Sequence, residues 1–283
     1  MHLINNTINC GGRLLDLSEP CVMGILNITP DSFFDGGKYI EEEQILKQTE
    51  KMLSAGACII DVGAASSRPG AEMLTVEVEL KRLLPVITLL KKNFVDIIIS
   101  VDTFHSAVAR KSIEAGAHII NDISAGEMDI EMFNTIAALQ VPYIMMHIQG
   151  TPKTMQINPQ YDDVVMEVMN FFVRKMEQLR ASHIHDVILD VGFGFGKTVE
   201  HNYKLLNSLK SFEIFGVPIM EGLSRKSMIC KVLKVNPENA LNGTTALNTI
   251  ALLNGAKILR VHDVKEAIEC IALVKEYSKD NTA

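Results

Sequence analysis

The chain has 283 residues, 47% hydrophobic and 22% charged, with 27 Lys plus Arg against 34 Asp plus Glu and a net charge of −7. These are globular proportions, which exclude a disordered chain, a collagen-like repeat and a disulfide miniprotein. The acidic balance is the wrong sign for a protein that neutralises nucleic-acid phosphates, so an anionic ligand must be held by a few local cations.

Cys10, Cys21, Cys58, Cys230 and Cys270 are scattered, with no C-x-x-C pair, and read as reduced, mostly buried thiols. The sequence shows no basic-then-apolar start and no run near the ~18 apolar residues of a membrane helix, so a cytoplasmic chain without nucleic-acid or membrane partners is expected.

In chain order, the first apolar run is Cys21 to Asn27, and a Gly-, Pro-, Ser- and Asp-rich stretch follows it to Ile40. Ala55-Gly-Ala-Cys-Ile-Ile-Asp61 then reads as a helix stopped at glycine, a short strand and a polar end. Ala115 to Asn121 and Asn254 to Arg260 repeat that junction. A second long segment runs from Gly63 to Leu74, and Pro85 is expected to kink or divide the helix after it. Further apolar runs are Ile97 to Asp102, Val141 to His147, Val187 to Asp190 and Val217 to Leu223. A helix is predicted from about Asp162 to Ala181, with Val165, Val168, Met169, Phe172, Met176 and Leu179 on one stripe. The last helix opens with Asp263 and Glu266 at capping-box spacing.

Eight strands result, their polar ends at Asn27, Asp61, Asp102, Asn121, His147, Asp190, Glu221 and Arg260 lying on average about 33 residues apart. That is one strand and one helix each. Runs this apolar fit parallel strands covered by helices, so the expected fold is α/β: a single (β/α)8 TIM barrel over residues 1–283, with an open doubly wound sheet as the alternative. The segments after the first two strands are expected to be long mobile loops on the carboxyl side, where barrel enzymes build their sites.

A polar strand end can simply cap the next helix. Asp102, Asn121, Asp190, Lys226 and Arg260, however, are a mixture that capping does not favour. Arg68, Lys226 and Arg260 follow strands two, seven and eight, and three cations at one mouth suggest an anionic substrate, with His262 as a further donor. The loop Asp190-Val-Gly-Phe-Gly-Phe-Gly-Lys-Thr198 matches neither phosphate-loop pattern. Its glycines permit sharp turns, and Phe193 and Phe195 either pack into the core or offer a flat face. His105 and His118 look structural, and His183 and His185 solvated. The histidines lack metal-ligand spacing, so any metal is expected to be a magnesium ion carried partly by substrate oxygens, with Asn27 as its ligand.

Asn27-Ile-Thr-Pro-Asp-Ser-Phe33, Ser66-Ser-Arg-Pro-Gly70, Ser100-Val-Asp-Thr103, Asn121-Asp122, Met146 to Pro152, Gly192 to Lys197, Ser224-Arg-Lys-Ser227 and Arg260 to Val264 together resemble dihydropteroate synthase, in order, from about residue 20 to 277. The resemblance departs at Ala65, Val191 and Cys230, where the family commonly has Glu, Pro and Gly.

The resemblance implies a cytoplasmic, homodimeric TIM-barrel transferase of folate synthesis. It would join para-aminobenzoate to 6-hydroxymethyl-7,8-dihydropterin diphosphate, releasing pyrophosphate, with magnesium as cofactor and sulfonamides as competitors. It further implies a pterin slot of Asp102, Asn121, Met145, Asp190 and Lys226, and a diphosphate site of Asn27, Arg68, Arg260 and His262 with magnesium at Asn27. Phe33, Ser67, Pro69, Phe195, Lys226 and Ser227 would form the aminobenzoate pocket, and Asp102, Lys226 and Arg260 would act in catalysis. Two alternatives stand beside this reading: a methyltetrahydrofolate-dependent methyltransferase, and a catalytically silent pterin-binding homologue.

Overall fold

The computed structural model describes residues 6–28, 38–64 and 73–279. The chain opens with a hairpin, β1 (Thr7–Cys10) and β2 (Arg13–Asp16). Its two-residue turn, Gly11-Gly12, has φ of 66° and 89°, the positive values that a tight hairpin turn requires. The sequence reading did not contain this element.

Eight parallel strands then close into a barrel. They are β3 (Cys21–Asn27), β4 (Ile59–Gly63), β5 (Ile99–Asp102), β6 (Ile119–Asp122), β7 (Tyr143–Met146), β8 (Val187–Asp190), β9 (Ile219–Glu221) and β10 (Ile258–Val261). Around the ring the order is β10-β3-β4-β5-β6-β7-β8-β9. The connecting helices are α1 (Lys38–Ser54), α2 (Val76–Asn93), α3 (Ser106–Glu114), α4 (Met132–Leu139), α5 (Val164–Ala181), α6 (Val199–Asn207), α7 (Ser227–Leu233), α8 (Leu241–Leu253) and α9 (Val264–Ser278). The α/β barrel is therefore the fold, and the open sheet is set aside. Among the described residues no helix is long and apolar enough to cross a membrane.

Side chains alternate between the two faces of a strand, and this period builds the barrel in layers. Met23, Ile59, Ile119, Ile144, Ile188, Met220 and Ile258, one from each of seven strands, and Ile98, the residue just before β5, pack as a single cluster inside the barrel. Ile8, Cys10 and Leu17 of the hairpin region join that cluster, so β1 and β2 plug the amino end of the barrel. The opposite parity, including Ile60, Val62, Val101, Ile120, Tyr143, Met145, Leu189 and Leu259, packs outward against the helices.

Two local expectations change. Of the two outcomes expected at Pro85, a kink or a division, the structure excludes division: Pro85 lies inside the continuous α2, with Leu83, Val86, Ile87 and Leu90 buried around it. Asp263 precedes α9 but makes no side-chain cap. Arg225 takes its carboxylate through two hydrogen bonds of 2.8 Å, a forked charge pair stronger than a neutral cap.

Residues 29–37 and 65–72, the greater part of the two segments expected to be mobile loops, lie outside the described residues. The five cysteines are free, with Cys10, Cys21 and Cys270 buried and Cys58 exposed.

Candidate active site

Two residues above the apolar ring, the same inward parity becomes polar. Ile59 leads to Asp61, Ile119 to Asn121, Ile188 to Asp190 and Ile258 to Arg260, while on β7 Ile144 leads to the apolar Met146. Asp102 stands one layer higher, above Ser100 on β5. The residues meet directly. Arg260 donates from Nε to Asp61 Oδ2 at 2.7 Å and from Nη2 to Asp102 Oδ2 at 2.9 Å. Asn121 Nδ2 donates to Asp61 Oδ2 at 3.2 Å. Asp61 is 0% exposed, and among the described residues its Oδ1 has no hydrogen-bond partner.

The glycine loop after β8 supplies the other side. Asp190 Oδ1 accepts the backbone N–H of Gly192 at 2.8 Å. Gly192 has φ of 71°, and a Cβ there would stand 2.0 Å from the His147 carbonyl oxygen, so this turn requires glycine. Beneath it, buried Lys197 Nζ donates to the carbonyls of Gly192, Phe195 and His147 at 2.9, 3.0 and 3.2 Å, and meets His147 Nδ1 at 2.9 Å. Burial and the Lys197 charge push His147 down to about 2, so it is neutral and its Nδ1 accepts.

The pinned loop sends Phe193 into the core, 0% exposed, and Phe195 into an apolar cluster with Phe104, Ile123, Met146, Ile148 and Met155. Lys226, at the entry to α7, hydrogen-bonds to the Phe193 carbonyl, and its Nζ stands 4.7 Å from the Phe195 ring centroid. Lys197→Met should cost about 2–3 kcal/mol of stability, because several buried carbonyls lose their donor. A urea titration tests this; an unchanged midpoint would contradict it.

Charge in the cavity is held in unfavourable surroundings. Burial raises Asp102 to about 7, with Asp61, Asp122 and Asp190 adding to the effect and Arg260 opposing it. Burial also raises Asp190, against the pull of Lys226, and lowers Lys226 to about 8 against the pull of Asp190. Burial works against charge on Arg260 too, but Asp61 and Asp102 leave it raised overall. A desolvated group of this kind gains from a ligand that supplies matching donors and acceptors.

Two further carboxylates serve the scaffold. Asp122 accepts from the Tyr143 hydroxyl at 2.6 Å and from Ser124 at 2.7 Å. Glu221 accepts the Leu223 N–H at 2.8 Å and is raised by burial to about 8. A carboxyl raised in the fold stabilises fully below its unfolded value, and that contribution is lost as pH rises through its folded value. The stability advantage of wild type over Glu221→Gln should therefore shrink steadily from about pH 5 to 8. Denaturation across that range measures it, and a constant difference would exclude the charge on Glu221 as the cause.

Of the other expected site residues, Asn27 is exposed at the end of β3, and its Oδ1 and the Asp102 side chain flank Gly63. His262 is exposed, with Nδ1 3.0 Å from Ser224 Oγ and its backbone N–H donated to the same oxygen at 3.2 Å. Ser227 is exposed as the first residue of α7.

Met145 requires correction: it is fully buried on the outward face of β7, among the core residues beneath the helices. Met146, one position on and of opposite parity, packs with Phe195 toward the mouth. Phe33, Ser67, Arg68 and Pro69 lie outside the described residues. Asp61, Ser224 and Lys197 were not chosen from sequence. Asp61 did carry a signal, a polar end to an apolar strand, whereas Lys197 showed only as the last residue of the glycine loop motif, with nothing to indicate its burial.

Among the described residues no cluster of three or more His, Cys, Asp or Glu side chains could hold a metal. Asn27 offers one exposed amide oxygen beside Asp102, a donor set that suits a hard cation brought largely by its own ligand.

The sequence pattern of the family described as pterin binding enzyme matches residues 23–262. The dihydropteroate synthase of Escherichia coli (strain K12) is 46% identical over 266 residues, covering 93% of this chain and 94% of that protein. Among solved structures, the Yersinia pestis dihydropteroate synthase in complex with a sulfonamide drug superposes with a TM-score of 0.90 at 43% identity, covering 97% of this chain and 99% of that one. The Xanthomonas albilineans dihydropteroate synthase with 4-aminobenzoic acid gives 0.89 at 37% identity, covering 97% and 98%.

Proposed function

The chain belongs to the dihydropteroate synthase family of pterin-binding enzymes, and on that premise we propose how its own residues carry out the condensation. It is a transferase of folate synthesis, which joins para-aminobenzoate to 6-hydroxymethyl-7,8-dihydropterin diphosphate, forming 7,8-dihydropteroate and releasing pyrophosphate. The relatives reported above are dihydropteroate synthases, which sets the methyltransferase reading aside.

The observation that carries the residue assignment is the polar layer itself: Asp61, Asp102, Asn121, Asp190, Lys226 and Arg260 converge above a wholly apolar ring. A pterin presents a flat edge of alternating donors and acceptors. Carboxylates at Asp102 and Asp190 would accept from it, the Lys226 ammonium would donate to it, and the Asn121 amide would do both where the edge reverses. Met146 would take the place expected of Met145 against the ring. The diphosphate would then extend toward the rim, to Arg260, His262, Asn27 and Arg68.

Breaking the bond between the pterin methylene and the diphosphate builds negative charge on the leaving group. Cations at Arg260 and Arg68 would therefore act mostly in the transition state. The methylene carbon becomes electron-poor and the aromatic amine attacks it, losing its proton once bonded, so no strong base is needed. Phe33, Ser67, Pro69, Phe195, Lys226 and Ser227 would hold the amine in place, and sulfonamides would compete there. A magnesium ion held at Asn27 would supply further charge neutralisation on the pyrophosphate. We read the working form as a cytoplasmic homodimer; the exposed Ile250, Leu253 and Leu273 on α8 and α9 support a partner surface.

The test is turnover of the purified full chain with both substrates, with and without magnesium. The expected result is one dihydropteroate formed per pyrophosphate released, with magnesium raising the rate. Calorimetric binding of the pterin diphosphate without turnover under saturating aminobenzoate would instead identify the silent homologue.

A further inference from the structure

In the glycine loop after β8, both peptide groups that meet at Gly194 are tied at each end. The group joining Phe193 to Gly194 presents its carbonyl to Lys226 Nζ and donates its N–H to Asn202 Oδ1, the latter at 2.7 Å. The group joining Gly194 to Phe195 accepts from Gln156 Nε2 at 2.6 Å, and its N–H donates to the Gly192 carbonyl at 3.1 Å. A peptide group is planar, so a partner that fixes its N–H also fixes the direction of its C=O. Gly194 has φ of 83°, in the region open to glycine, and by itself resists the rotation of neither group. The four partners therefore set the shape of the loop at this point.

The two side chains that do this from outside the site differ in burial. Asn202 lies on α6, 2% exposed, and its Nδ2 donates to the Thr198 carbonyl at 2.6 Å, which leaves Oδ1 turned toward Gly194. Gln156 is exposed, in the segment between β7 and α5. What they hold belongs to the site. The Phe193 carbonyl is the acceptor for Lys226, and Phe195 carries the ring that stands 4.7 Å from Lys226 Nζ. Within the first peptide group the two bonds reinforce each other, since an N–H bonded at one end makes the carbonyl at the other a stronger acceptor.

We propose, on the reading that Phe195 and Lys226 form the aminobenzoate pocket, that Asn202 and Gln156 are positioning residues for that substrate. Asn202 aims the Phe193 carbonyl at Lys226, and Gln156 fixes the peptide group that leads into the Phe195 ring. Both act through the backbone at Gly194. Loss of either tie frees a rotation at glycine, so that the ring and the ammonium must be ordered when aminobenzoate binds. The pterin edge depends instead on Asp102, Asn121 and Asp190, which the barrel strands carry.

The experiment measures steady-state kinetics of the full chain with both substrates and magnesium, for wild type, Gln156→Met and Asn202→Ala. Gln156→Met keeps the length of the side chain and adds no charge but removes the donor, and its exposed position spares the core. It should raise the KM for para-aminobenzoate, and the inhibition constant of sulfanilamide, by about fivefold. The calorimetric Kd of the pterin diphosphate should change by less than about twofold. Asn202→Ala also frees the acceptor of Lys226, so kcat should fall together with the rise in KM.

An unchanged KM for aminobenzoate in Gln156→Met would overturn the proposal. So would equal losses for aminobenzoate and for the pterin diphosphate, the pattern of a general loosening of the fold. Phe195→Ala separates the positioning role from the pocket itself. If its KM for aminobenzoate rises while that of Gln156→Met does not, the pocket stands and the positioning role falls. If Phe195→Ala also leaves that KM unchanged, the pocket assignment falls and the proposal with it.

Discussion

Lys226→Ala is expected to lower turnover at least ~100-fold, about 2.7 kcal/mol of barrier. The ammonium sits where three parts of the site meet. It is bonded to the Phe193 carbonyl, stands 4.7 Å over the Phe195 ring, and is in electrostatic range of Asp190, Glu221 and Asp102. Burial has lowered it to about 8, so near neutrality it is still mostly protonated, and it becomes neutral as pH rises through that value. Removing it takes a donor from the pterin edge and a face from the aminobenzoate pocket together, so kcat should fall and the KM for aminobenzoate should rise. Lys226→Arg keeps the charge but not the compact point contact, and should recover little. A variant with full turnover would remove Lys226 from the machinery.

Arg260→Ala is expected to damage both activity and fold. Its guanidinium is the sole cation among the described residues that bonds Asp61 and Asp102, at 2.7 and 2.9 Å. Deleting it leaves a fully buried carboxylate without its charge partner, which costs about 3–5 kcal/mol. It also removes a transition-state contact to the leaving pyrophosphate, for a further ~100-fold or more in turnover. The sign with pH follows from Asp102. Arg260 opposes the rise of Asp102 to about 7, so in the variant Asp102 moves higher and the variant's stability falls more steeply as pH rises toward neutrality. Urea unfolding at pH 5 and pH 8 separates the effect on the fold from that on turnover. Equal losses at both pH values would mean that Asp102 is not the group left exposed by the deletion.

Much of this arrangement was legible in the sequence, for a definite reason. A strand buried on both faces must be apolar until it reaches the layer that does the chemistry, so Cys21–Asn27 and Val187–Asp190 announce both their extent and their polar tips. Glycine-stopped helices mark the approach to β4, β6 and β10 with equal clarity.

What stayed hidden depended on parity or on partners far along the chain. Met145 and Met146 differ by one position, and one position in a strand reverses the face. Lys197 takes its role from His147, 50 residues earlier, and Asp263 surrenders its cap to Arg225, 38 residues earlier. The hairpin of β1 and β2 is too short to show a period, and its Gly11-Gly12 pair, a turn signal, is not among the features read from the sequence. Asp61 shows the remaining limit: a strand-end aspartate can cap a helix or hold an arginine, and the Arg260 pairing across the barrel decides between them.

The measurement that bears most directly on the site is a crystal structure of this chain with 6-hydroxymethyl-7,8-dihydropterin diphosphate bound. The polar layer should hold the pterin edge on Asp102, Asn121, Asp190 and Lys226, with Met146 against the ring and the diphosphate reaching Arg260 and His262. A pterin seated elsewhere, with those side chains untouched, would contradict the account.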